Sequence, residues 1–174
     1  MSKKIKQKNE MKLFAVYLGG HCDRAFIEVH DVVFIVAKNV ESALPELKNK
    51  WFGQKEKVHV DSWVHLSQVD GYDISLENRA TQGKEKLYFL NIGFYRDEFF
   101  GEEHRFVFLV GKTLSEVRNR AKIVLKKEML VHVDNSVEID GLIQIIAVDG
   151  RNISLTPAVK KTSLVFNQTY WPIP

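Results

Sequence analysis

His59 and Asp61, in the stretch "KVHVDSW" (57–63), stand two residues apart, and Trp63 and His65 follow at the same interval. On an extended strand this spacing sends all four side chains to one face and Val58, Val60 and Val64 to the other. Two imidazoles and a carboxylate, joined by His30 from a neighbouring strand or His21 from a loop, would suit zinc or iron with an open position. The metal reading therefore rests on His30, His59, Asp61 and His65. An Asp beside a His can also fix the ring's tautomer and raise its basicity for acid–base work. Without a metal, the same surface, His59, Asp61, Trp63 and His65 with Gly19 and Gly20, is one that holds a small ligand or a protein. A solvated polar sheet face has the same alternation and does no chemistry.

The loop "LGGHCDRAF" (18–26) is the other candidate. Gly19 and Gly20 let backbone N–H groups approach a ligand closely. His21 and Cys22 are adjacent in sequence, so they do not face each other on a strand, and a thiol nucleophile would need a third partner such as Asp61. The chain has no G-x-x-x-x-G-K, G-x-G-x-x-G, H-E-x-x-H or C-x-x-C motif, which removes the common nucleotide, metalloprotease and zinc-ribbon readings.

A second His-x-Asp pair, His132 and Asp134 in "LVHVDNS" (130–136), raises the question of duplication. Residues 12–38 align with 86–112, with identities at Gly19/Gly93, Glu28/Glu102, His30/His104 and Phe34/Phe108. "VHVD" then aligns 58–61 with 131–134, and "VDGYDISL" (69–76) aligns with "VDGRNISL" (148–155). This alignment puts the extra residues of the second copy between its third and fourth elements, around "EIDGLIQ". What both copies keep is expected to be framework, so His30 and His104 read as hydrogen-bonded structural histidines. Trp63 and His65, absent from copy two, mark copy one as the place for a specialised site.

The elements follow from periodicity. Residues 12–18 and 86–94 are apolar on both alternating faces, as in a strand covered on both sides. Strands at 29–37 and 104–111 come next, the first with His30, Val32, Phe34 and Val36 on one face. A helix follows with the stripe Val40, Ala43, Leu44, Leu47 and Trp51, capped by Asn39, or by Ser42 if Pro45 must lie in the first turn. In copy two Thr113 and Glu116 form a capping box. The third strand holds the His-x-Asp pair, and "VDG" turns into a fourth at 72–76 and 151–155. The expectation is α+β: two tandem ββαββ repeats of mainly antiparallel sheet, each covered by one helix, related by a pseudo-two-fold axis as in a fused homodimer. The boundaries read as a basic tail (1–10), repeat one (11–76), linker (77–85), repeat two (86–155) and an apolar C-terminal extension (156–174). A homodimer of whole chains is a further option.

Composition bounds the rest. The formal charge of +3 sits in the tail: residues 1–10 carry four Lys and one Glu, leaving 21 basic against 21 acidic residues. A neutral body argues against nucleic acid, although Phe14, Tyr17 and Tyr88 are of a type that stacks bases. One cysteine fits a reducing compartment, and no apolar run is long enough to span a membrane, so a cytoplasmic location is expected.

The motifs "LFAVYLGG", "EVHDVVFIV", "WFG", "HVDSW" and "VDGYDI" resemble the bacterial family known as domain of unknown function 1543, whose members carry one or two copies of the domain. The resemblance implies a bacterial, cytoplasmic protein and brings no activity, cofactor or catalytic residue. The sequence reading is thus a non-catalytic ligand- or protein-binding module with no required cofactor. The alternative is a divalent-metal protein or small enzyme built on the His/Asp cluster of repeat one.

Overall fold

The computed structural model describes residues 10–80, 82–96, 98–128 and 138–174. The fold is α+β with antiparallel sheets. In the first half β1 (Lys12–Gly20), β2 (Val29–Ala37), helix α1 (Val40–Lys50) and β3 (His59–His65) are followed by a hairpin of β4 (Gln68–Val69) and β5 (Tyr72–Glu77). The second half has β6 (Lys86–Phe94), β7 (Glu103–Gly111), α2 (Leu114–Glu128), β8 (Glu138–Ile145) and a hairpin of β9 (Ala147–Val148) and β10 (Arg151–Pro157). β11 (Phe166–Pro172) closes the chain.

Among the described residues the strands form three sheets, in the orders β11-β3-β1-β2, β7-β6-β8 and β4-β5-β10-β9. β1 and β6 are central and apolar on both faces because each separates two cores. Phe14, Val16 and Leu18 face α1 with Leu44, Leu47 and Trp51. Leu13 and Ala15 face the second sheet, meeting Val36, Leu87, Phe89 and Val110. Tyr88, Leu90 and Ile92 of β6 pack under Val117 and Ala121 of α2. The layers run helix, sheet, sheet, helix, and burial of Phe14 and Tyr88 removes them as base-stacking surfaces.

Asn39 caps α1 through a capping box with Ser42, so Ser42 is the third helical residue and does not begin the helix. Pro45 lies inside the helix, and the carbonyl it leaves free, that of Glu41, belongs to an exposed residue. Both "VDG" turns have two consecutive residues with positive φ, Asp70–Gly71 at 54° and 81° and Asp149–Gly150 at 49° and 75°. This is the type I′ hairpin geometry that Asp-Gly favours.

Two expectations fail. The strand that pairs with β6 as β3 pairs with β1 is β8, and the strand expected around His132 and Asp134 lies outside the described residues. β8 pairs Glu138 with Gly93 and Ile139 with Ile92, as β3 pairs His59 with Gly19 and Val60 with Leu18. Asp140 therefore stands where Asp61 does, and the extra residues precede the strand. Second, His59, Asp61, Trp63 and His65 do not share a face. The ladder shifts between Tyr17 and Leu18, leaving Asp61 as an unpaired bulge residue that reverses the alternation beyond it. Trp63 packs with the α1-facing core and His65 against Phe14 (ring centroids 5.4 Å), whereas Val64 joins the inter-sheet core. The chain past residue 157 lays β11 on the edge of β3 in its own sheet, which fills that edge.

Candidate functional site

The inter-sheet face of β1 ends at Gly19, with His30 opposite on β2 and His59 opposite on β3. Two antiparallel neighbours thus deliver two histidines to one central glycine. The bulge turns Asp61 onto the same spot, and Glu28, just before β2, reaches it from the loop.

The four groups form a closed ring of contacts. His30 Nε2 lies 3.2 Å from Asp61 Oδ2 and 3.8 Å from Glu28 Oε2. His59 Nε2 lies 3.2 Å from Asp61 Oδ1 and 3.2 Å from Glu28 Oε1. Each imidazole nitrogen stands between two carboxylates. Asp61 Oδ2 is enclosed and accepts no hydrogen bond, so its approach to His30 lacks hydrogen-bond alignment. His59 is buried, 4% exposed, while Glu28 and His30 reach the surface.

Gly19 is what makes room. A Cβ there would stand 2.6 Å from both Asp61 Oδ2 and His59 Nε2 and 3.0 Å from His30 Cδ2. Gly20 serves the opposite face, where a Cβ would meet the Trp51 ring at 3.0 Å. The two glycines thus clear space for the ring of imidazoles and carboxylates and for core packing, respectively. Tyr17 stacks on His30 with centroids 5.0 Å apart and planes at 12°. Burial, then the carboxylates of Asp61 and Glu28, push its hydroxyl above the ordinary tyrosine range. Tyr170, at the irregularity in β11, covers the ring of His59 at 4.5 Å.

Of the residues singled out by sequence, His30, His59, Asp61 and Gly19 come together. His65 and Trp63 lie on the other face, and His65 is held below the usual histidine range by burial and then by Lys12. His21 and Cys22 stay in the β1–β2 loop, near Gly53, with the His21 carbonyl accepting from the Gln54 N–H at 2.8 Å. Glu28 was missed, although Glu-x-His recurs as Glu102-x-His104 and so carried a signal. His30 and His104, read as framework, each place Nε2 beside carboxylates.

Comparison with known proteins gives one family, described as Domain of Unknown Function (DUF1543), whose model matches residues 25–76. That segment contains Glu28, His30, His59 and Asp61. Among solved structures the chain is similar to a protein Il1583 from Idiomarina loihiensis. Identity is 30% and the TM-score 0.75, over 95% of this chain and 99% of that one. No curated protein matches the chain.

Proposed function

Since the chain belongs to the DUF1543 family, which carries no assigned activity, we propose a function from its own residues: it binds a divalent transition-metal ion through Glu28, His30, His59 and Asp61. The observation that carries this is the ring of contacts around Gly19, in which each Nε2 atom stands beside both carboxylates. Two negative charges held this close favour a cation between them. Imidazole nitrogen with carboxylate oxygen is a donor set for zinc, iron(II), manganese(II), cobalt(II) or nickel(II). The exposed sides of Glu28 and His30 leave a bound ion open to water. Among the described residues no helix is long and apolar enough to cross a membrane.

The duplication belongs to the same reading. Support comes from reciprocal contacts, the mark of an isologous interface. Ser75 pairs with Ser154, each the other's equivalent in the "VDG" register, with Ile74 on Leu155 and Leu76 on Ile153. Asp149 Oδ2 accepts from the Val36 N–H at 2.8 Å, and Asp70 Oδ2 from the Val110 N–H at 3.2 Å. Lys50 pairs with Asp149 and Arg120 with Asp70.

The test is zinc(II) titration of chelator-stripped full-length protein by competition with a chromophoric chelator. The His30→Ala/His59→Ala protein should lose one bound zinc while still unfolding in a single cooperative transition, at a lower midpoint because His59 is buried under Tyr170. Absence of competition by the wild-type chain for zinc, cobalt(II) and manganese(II) alike would sink the proposal.

A further inference from the structure

At the corresponding place in the second half, Glu102 stands before β7, His104 is on β7, and Asp140 is on β8. His104 Nε2 is 3.4 Å from Asp140 Oδ2 and 3.8 Å from Glu102 Oε2. One ligand atom from each of the three residues lies within 4.8 Å of the others. Asp140 is presented by a ladder shift between Asn91 and Ile92, as Asp61 is in the first half. A Cβ on Gly93 would collide with Glu102 Oε1 and Asp140 Oδ2, so this cluster too occupies the space over a central glycine.

The two clusters differ in donors. Asn91, two residues before Gly93 on the same face of β6, takes the position of Tyr17 and keeps a buried Oδ1 with no hydrogen-bond partner. Glu138 holds the register position of His59. The donors that lie together are therefore one imidazole and two carboxylates, against two imidazoles and two carboxylates in the first half.

We infer that the second half carries its own divalent-cation site, formed by Glu102, His104 and Asp140, and that it favours a harder ion of the manganese(II) class. Oxygen-rich sets suit manganese, magnesium and calcium, whereas added imidazole shifts preference toward zinc. The site uses no residue of the first-half cluster, so either can fail without the other.

The experiment is manganese(II) titration of the chelator-stripped full chain, with the free ion followed by electron paramagnetic resonance. The wild type and the His30→Ala/His59→Ala protein should both bind a manganese ion that His104→Ala weakens at least 10-fold. The isosteric Asp140→Asn, which keeps the side-chain volume, should weaken it by a similar factor with an unchanged melting profile. Manganese binding that survives both substitutions overturns the inference. So does binding lost only with His30 and His59, a result that leaves the first-half proposal standing.

Discussion

Gly19→Ala separates folding from metal binding. Gly19 does not occupy the left-handed region, so alanine fits its backbone. Removing the glycine's freedom in the unfolded chain should stabilise by about 0.4–1 kcal/mol. Against this, the new Cβ starts 2.6 Å from Asp61 Oδ2 and His59 Nε2, where ordinary contact begins at 3.4 Å. Both atoms must retreat by about 0.8 Å. They are side-chain tips, so the fold can yield at little cost, and net stability should stay within about 1 kcal/mol of the parent. A metal site cannot yield so far, because ligand distances hold to about 0.2 Å. Moving two ligands together should cost at least about 100-fold in zinc affinity, about 2.8 kcal/mol at 1.4 kcal/mol per decade. Competition titration beside a urea melt reads both quantities. Wild-type zinc affinity in a folded Gly19→Ala protein would refute the idea that the four side chains share one ion over this glycine.

Three further outcomes follow from geometry. Asp149→Ala strips the Val36 N–H of its acceptor, and an unpaired buried donor should lower stability by about 1–3 kcal/mol in urea; an unchanged midpoint would mean water replaces the carboxylate. Ile173→Ala empties a buried position beside Val58 and should cost about 2 kcal/mol by thermal or chemical melting. His65 is depressed by burial and then Lys12, so the unfolded chain takes up its proton first as pH falls through about 6.5 and stability is lost in that window. His65→Phe should therefore show a smaller drop in urea midpoint between about pH 7.5 and about 5.5 than the parent; an equal drop would show that the acid sensitivity lies elsewhere.

The parts legible in sequence were those set by local periodicity: β1 apolar on both faces, His30 with Phe34 on one side of β2, the α1 stripe and the "VDG" turns. The inward aim of Asp61 was not, because a bulge is decided by how β1 pairs across the sheet and leaves no mark in "KVHVDSW". That hidden residue moved Trp63 and His65 off the site and reversed Val64. The match of "VHVD" to 131–134 misled for a related reason, since a short local likeness outweighed the long-range ladder. Running the register of "VDG" back unbroken places Asp140 under Asp61, and the recurrence of Glu-x-His would have supplied Glu28 and Glu102.

β11 bears on the order in which the molecule can finish folding. Its Asn167 contacts Trp63, 104 positions earlier in the chain, and Tyr170 covers His59. During synthesis the first sheet therefore acquires its outer strand only after the whole second half has emerged. The first-half site is completed last, although most of its residues are made first. A nascent chain stalled anywhere before residue 166 would expose the edge of β3 and leave His59 without its aromatic cover, open to a stray ion or a neighbouring strand.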